Sequence, residues 1–360
     1  MKHRLIVVTA AVAFAAAAAT FGAPAAEKLK VGFIGVGPIG DLGWTYQHEV
    51  GRLAMQKALG DKVDSTFVEN VPEGADAERA IEQLARTGHK LIFTTSFGFM
   101  DPTIKVAAKY PKVFFEHATG FKRAANVSTY AARFYEGRYI QGQIAAKMSK
   151  SGVIGYIVSF PIPEVISGIN STMLGAQSVN PNMKVKIIWV NSWFDPPKEA
   201  DSAKALIDQG ADILTQHTDS PAATQIAEQR GIHSFGQSSD MIKFGPHAQL
   251  TADTDYWGGY YTQRAKDALD GKWKSEDTWG GLDSGMVVMA PYTNMPDDVK
   301  KMAAATEAAI RSGTLHPFKC PIVDQDGKTV ECKGGSRLDN GQILSMNFYV
   351  KGIEDKVPGK

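Results

Sequence analysis

Short apolar runs alternate with stretches of helical periodicity along most of this chain. An unbroken run such as Leu91-Ile92-Phe93 reads as a strand covered on both faces, whereas apolar positions three and four apart, as at Ile81, Leu84 and Ala85, read as one side of a helix. The pattern predicts strands over 29–36, 63–68, 90–95 and 113–117, with helices over 45–59, 75–87 and 102–109 between them. It restarts after a further strand at 126–133. Helices over 137–150, 164–179, 198–209 and 222–230 then separate strands over 153–159, 185–190, 212–215 and 233–236. Strand, helix, strand in repetition is the signature of right-handed crossovers and parallel sheets.

The restart is also a weak internal repeat. A shift of 122 positions lays Glu78–Gly88 over Ala200–Gly210 and Leu91-Ile92 over Ile213-Leu214, so each half contains a helix, a glycine stop and a buried strand. The fold class expected is α/β, with two doubly wound parallel-sheet lobes joined by crossing hinge strands and a cleft between them. The N-terminal lobe is expected to comprise 27–132 plus 256–290 and the C-terminal lobe 133–255. A C-terminal segment, 291–360, carries a crossing strand and a hairpin. Residues 126–133, 249–254 and 285–290 are the expected crossings, which would let two rigid lobes close over a ligand.

Composition adds compartment and excludes partners. Lys2 and Arg4 precede a mostly Ala and Val run to Phe21, and Ala23-Pro24-Ala25 supplies small residues, so 1–26 reads as a cleavable signal peptide. The run is too short and too weakly apolar for a membrane span, and no cysteine near the cleavage site offers a lipid anchor. An exported, soluble, periplasmic protein that is not a lipoprotein is expected. Formal charge is +1 over the 360 residues, with no run of either sign, so no face suits nucleic acid. The chain has only two cysteines, too few for an all-cysteine metal site. Cys320 and Cys332 flank the turn Asp324-Gln325-Asp326-Gly327, and in an oxidising compartment they are expected to form a disulfide contributing on the order of 3 kcal/mol.

No catalytic pattern emerges, so no enzyme activity, metal or cofactor is expected. Gly35-Val36-Gly37-Pro38-Ile39-Gly40 has the G-x-G-x-x-G form of a dinucleotide loop. However, Pro38 removes a backbone donor and Asp41 puts negative charge where a pyrophosphate would sit. The histidines lack metal spacing, and neither a G-x-S-x-G nor an H-E-x-x-H motif occurs. Aromatic and acidic residues do gather where strands are expected to end, which is where open α/β sheets bind ligands. They are Asp41 and Trp44 after the first strand, Phe97, Phe99 and Asp101 around Gly98 after the third, Trp193, Phe194 and Asp195, His217 with Asp219, and Asp240 beside Ser239. Aromatics from both lobes could cover a flat ring while carboxylates accept its N–H groups.

These residues resemble the basic membrane protein family of substrate-binding proteins of ATP-driven importers, which includes bacterial purine nucleoside receptors. The likeness rests on Asp41-x-x-Trp44, Thr94-Thr95-Ser96-Phe97-Gly98-Phe99-Met100-Asp101, Gly137-Arg138-Tyr139-Ile140-Gln141-Gly142, Trp193-Phe194-Asp195-Pro196, Ala205-Leu206-Ile207-Asp208-Gln209-Gly210-Ala211-Asp212 and Gly236-Gln237-Ser238-Ser239-Asp240. It implies a type I periplasmic binding protein fold and a purine stacked between Trp44 and Trp193 or Phe194. Asp101 would bond the base and Asp240 a ribose. The chain departs from the family at Trp44-Thr45, where Phe-Asn is common, and at Thr251-Ala252-Asp253-Thr254-Asp255, which lacks the lysine that meets the sugar. A free base is therefore as suitable as a nucleoside. The partners implied are a purine and an inner-membrane ABC permease, with the receptor a monomer. An aromatic and acidic cage for a cationic or quaternary amine, and an exported nucleoside hydrolase, are the alternative readings.

Overall fold

The computed structural model describes residues 27–359, so the expected signal peptide at 1–26 lies outside the described residues. Two six-stranded sheets form the framework. In the first lobe β1 (Leu29–Ile34), β2 (Val63–Val68), β3 (Leu91–Thr94), β4 (Phe114–Ala118) and β5 (Val127–Ala132) are wound around α1 (Trp44–Leu59), α2 (Ala75–Arg86) and α3 (Met100–Lys109). In the second, β6 (Val153–Val158), β7 (Lys184–Trp189), β8 (Ile213–His217), β9 (His233–Ser238) and β10 (Gln249–Asp255) alternate with α5 (Pro163–Gln177), α6 (Pro196–Asp208) and α7 (Ala222–Arg230), after α4 (Tyr135–Met148). The chain continues through α8 (Gly258–Leu269), β11 (Asp277–Gly280), β12 (Val287–Met289) and α9 (Asp297–Arg311), then β13 (Ile322–Val323), β14 (Thr329–Val330) and α10 (Asn340–Leu344).

Strand order is β11-β5-β4-β3-β1-β2 in one sheet and β12-β10-β9-β8-β6-β7 in the other, parallel throughout except for antiparallel β12. The register pairs Phe33 with Phe67 and Phe93, and Tyr156 with Ile187 and Thr215. The repeat seen in the sequence is thus structural: β3 sits beside β1 as β8 sits beside β6. Each sheet is covered on both faces, which is why its strands read as continuous apolar runs. Ile81, Leu84, Val106 and Ala107 cover one face of the first sheet, and Leu206, Ala223, Ile226 and Ala227 one face of the second. A single larger core runs over the other faces through both lobes, from Val31, Phe33 and Tyr261 to Ile140, Ile169 and Leu250.

Three segments cross between the lobes: β5 into α4, β10 into α8, and β11 into β12. The boundaries differ from expectation at two places. Residues 287–289 pair with Asp253–Asp255 of β10, so they belong to the second sheet rather than to the first lobe. The segment beyond 291 contributes no crossing strand, because β13 and β14 pair with each other; α9 packs on α4 and α10 on α5. Edge strand β11 is an element the sequence pattern does not reveal. Cys320 and Cys332 form a disulfide that ties the β13–β14 hairpin. Among the described residues, no helix is long and apolar enough to cross a membrane.

Candidate functional site

The carboxyl ends of β1, β3 and β4 face those of β6, β7, β8 and β9 across the cleft. In each sheet the chain reverses its direction of progression at this point, which opens a crevice between the loops. A narrow cavity lies there, walled by Val36, Trp44, Ser96, Phe97 and Thr119 of the first lobe and by Glu164, Trp193, His217, Asp219 and Gln237 of the second.

The loop after β1 does what its composition foretells. The Asp41 carboxylate accepts the backbone N–H groups of Gly43, Thr45 and Tyr46, each at 2.9 Å, and so occupies the start of α1 where a pyrophosphate would bind. Burial pushes its pKa up against those hydrogen bonds. Asp41 is therefore turned into the loop and is not on the cavity wall. Trp44, the first residue of α1, is fixed by its indole Nε1, which donates to the Thr95 carbonyl at 2.6 Å. Its ring stands edge-on to His48 and Trp257, with centroids 4.4 and 5.7 Å away.

After β3 a short turn, Phe97–Phe99, leads into α3. Phe97 lines the cavity, whereas Phe99 enters the core beneath it. Gly98 is placed by Glu73: its N–H donates to Glu73 Oε1 at 3.1 Å, and a Cβ there would lie 2.2 Å from the Glu73 carboxyl carbon. Asp101, expected to bond a base, is instead carried onto the exposed face of α3, where it pairs with Lys122 at 2.6 Å. That ammonium holds its pKa below the usual carboxylate value.

On the second lobe, Trp193 lies 5.1 Å from Phe160 and 6.5 Å from His217, centroid to centroid. Its Nε1 donates across the cleft to Glu73 Oε1 at 3.4 Å, so Glu73 touches both lobes. Phe194 lies beside Trp193 but off the wall, and its carbonyl accepts from Ser192 Oγ. His217 places Nε2 3.5 Å from Glu164 Oε1. Its Nδ1 and Gln237 Oε1 are buried with no hydrogen-bond partner among the described residues. Asp240, expected at a ribose, is exposed and accepts from the Ile242 N–H and Gln249 Nε2, at 3.0 and 2.6 Å, away from the cavity. The walls thus unite Trp44, Phe97, Trp193 and His217 and omit Asp41, Gly98, Phe99, Asp101, Phe194 and Asp240.

The carboxylates that do face the cavity are Glu164 and Asp219. Glu164 was readable as an acid at a helix start after β6; Asp219 follows the end of β8 by two residues. Asp219 is fully buried, and its pKa is driven well above the ordinary value of 3.8 first by burial, then by the charges of Asp41, Glu199 and Asp255; the Trp44 backbone N–H opposes the rise. The lobes meet at this residue. A Cβ on Gly43 would lie 2.5 Å from the Asp219 carbonyl oxygen, and Ser239 Oγ donates to the Leu42 carbonyl from the facing lobe.

Because its folded-state pKa is raised, Asp219 binds its proton more tightly in the folded chain than in the unfolded one. Stability is therefore highest below the unfolded value and falls as pH rises from about 4 through the folded pKa. Asp219→Asn removes a carboxylate that must be desolvated. In ligand-free protein at pH 7.5 it should raise the melting temperature by about 2–4 °C, roughly 1 kcal/mol, and flatten the decline from pH 5 to 7.5. Circular dichroism melts check this, and an unchanged or lower melting temperature at pH 7.5 refutes it.

Comparison with known proteins places these features. Residues 28–314 match the family described as ABC transporter substrate-binding protein PnrA-like (Bmp). A purine-binding protein of Brucella abortus (strain 2308) is 66% identical over 336 residues, spanning 93% of this chain and 96% of its own length. A putative ABC transporter glucose-binding protein of Haloferax volcanii is 35% identical over 92% of this chain and 82% of its own length. Among solved structures, an ABC transporter solute-binding protein of Aeropyrum pernix K1 superposes with a TM-score of 0.71 at 19% identity, covering 81% of this chain and 93% of its own. That likeness speaks for the fold alone.

Proposed function

The chain belongs to the family of PnrA-like ABC transporter substrate-binding proteins, and from that premise we propose that its ligand is a purine base or purine nucleoside, held in the interlobe cavity and released unchanged to the permease. The observation that carries this reading is the wall itself. Trp44, Phe97 and Trp193 offer aromatic faces, while Glu164, His217, Asp219 and Gln237 offer polar atoms around the space between the lobes. Its close relative named for purine binding supports the same choice.

A purine suits this arrangement chemically. Its faces stack on indole, and its edge alternates donors and acceptors. Gln237 Oε1 and the Glu164 carboxylate would accept from exocyclic or ring N–H groups. Asp219, whose neutral form burial favours, would donate to a ring nitrogen when it carries its proton. Binding draws the lobes together, and affinity comes from contacts made by both at once. We place the protein outside the cytoplasm as a soluble monomer, on the strength of the leader-like residues 1–26.

Isothermal titration with adenine, hypoxanthine, adenosine, guanosine, glucose and choline tests the ligand class. Binding of at least one purine and of neither glucose nor choline is expected. Glucose or choline binding without any purine overturns the reading, and release of free base from adenosine overturns the absence of chemistry. Trp44→Ala should weaken purine binding by about 2 kcal/mol, roughly thirtyfold, from the loss of one stacking face. An unchanged affinity in that titration removes Trp44 from the site.

A further inference from the structure

A second, larger cavity of about 210 Å³ adjoins the first, and Phe97, Thr119 and Glu164 stand in the walls of both. Its first-lobe wall includes Phe121 and Trp279; its opposite wall includes Phe134, Ile162 and Leu344. Both lobes build it, so whatever fills it is enclosed together with the ligand when the cleft closes. Its few charged groups are engaged elsewhere. Asp277 accepts from Thr129 Oγ1 at 2.7 Å and pairs with Arg123 at 3.1 Å, and Glu164 faces His217.

One wall comes from a part of the chain beyond the family match. Leu344 lies on α10, 30 residues past residue 314, where the match ends. That wall is firmly seated. Asn170 of α5 donates to the Phe348 carbonyl at 2.7 Å and accepts from the Val350 N–H at 3.0 Å, and Asp339 and Gln342 form a reciprocal capping box at the start of α10. Phe121 and Leu344 are large apolar side chains, 65% and 53% exposed, and both belong to this cavity. Solvent-facing apolar groups on a concave surface mark a place that an apolar group covers.

We infer that this cavity receives an apolar substituent of the ligand, so that the protein takes purines carrying an alkyl or aryl group as well as, or in preference to, bare ones. The inference rests on the purine reading of the adjoining site and extends it. Continuity through Phe97 and Thr119 lets one molecule reach both spaces, and aromatic walls favour a flat or branched hydrocarbon.

Isothermal titration of the full protein with adenine, N6-benzyladenine and 9-benzyladenine tests it, alongside a Phe121→Ser, Leu344→Glu double variant. Both positions are exposed, and adenine binding reports whether the variant is intact. At least one benzyl compound should bind the wild type no more than about tenfold weaker than adenine, and the double variant should lose about tenfold for that compound while adenine stays within about twofold. Benzyl compounds weaker than adenine by more than that margin, or a variant that weakens all ligands alike, overturn the inference and leave the purine reading standing. Failure of all three compounds to bind overturns the inference, and the purine reading falls with it only when hypoxanthine, adenosine and guanosine also fail.

Discussion

Replacing Arg264 by alanine is expected to destabilise the protein by about 3–5 kcal/mol, because it leaves a buried carboxylate without its counter-charge. Glu116 lies on β4 and is fully buried. It accepts from Arg264 Nε, Tyr260 Oη and Trp273 Nε1, each at 2.6 Å. The guanidinium also donates to Glu276, Ser128 Oγ and the Lys274 carbonyl, each at 2.8 Å, and lies over the Trp273 ring at 5.0 Å. Four guanidinium N–H groups are thus engaged, and the network ties returning helix α8 to β4 and to the stretch before β11. The loss should appear as a drop in melting temperature on the order of 10 °C. A drop below about 3 °C refutes the assignment. Exposed Arg79→Ala, which breaks only the pair with Asp76 on α2, should change almost nothing. Pairing Arg264→Met with Glu116→Leu should recover much of the loss, since removing both charges leaves neither uncompensated.

Gly43→Val should abolish tight ligand binding while leaving the fold intact. Gly43 precedes α1, and its missing side chain is what lets Asp219 of the other lobe approach: a Cβ would stand 2.5 Å from the Asp219 carbonyl oxygen and 2.8 Å from its Cα. These neighbours are backbone and cannot swing away. A valine holds the lobes apart by that overlap without touching either core, so only the closed arrangement is penalised. With closure opposed by about 3 kcal/mol, affinity should fall roughly a hundredfold or more. Titration against the purine that binds the wild type measures it, with the melting temperature of the ligand-free protein as the control. Affinity within about threefold of wild type would mean that the lobes need not meet at Gly43 for binding.

Most of the framework was legible because its signals are local. Leu91–Thr94 and Ile213–His217 are buried along their whole length and announce themselves by the apolar runs Leu91-Ile92-Phe93 and Ile213-Leu214; Ile81, Leu84 and Ala85 fall on the buried face of α2. What escaped was decided by distant pairing. Strand β11 is four residues, Asp277–Gly280, mostly unburied at a sheet edge, so it lacks both alternation and an apolar run. Val287–Met289 looks like any short strand, and only its partner Asp253–Asp255 assigns it to the second lobe.

The same division runs through the site. Trp44, Phe97, Trp193 and His217 were readable because a strand's carboxyl end points its following residues toward the cleft. One further turn undoes the rule: the Phe97–Phe99 turn buries Phe99 and swings Asp101 outward, and Asp240 spends its carboxylate on Ile242 and Gln249. Glu73 was invisible to the sequence because its partners, Ser96, Gly98 and Trp193, come from two other loops on two lobes.

The three crossings also dictate an order of events as the chain is made from its N-terminus. Helix α8, which brings Arg264 to Glu116, and strand β11, which covers the edge of β5, both follow the entire second lobe in the sequence. Thr129 and Asp277, hydrogen-bonded at the join of β5 and β11, are 148 positions apart. A nascent first lobe thus waits with β5 as an unpaired edge and Glu116 without its arginine until nearly 280 residues have been synthesised. Its partner lobe waits longer still: β10 is an uncovered edge until β12 at 287–289 follows, and α9 and α10, which pack on α4 and α5, come later again. The receptor's two halves are therefore both finished only by residues that follow the last crossing, the second half after the first.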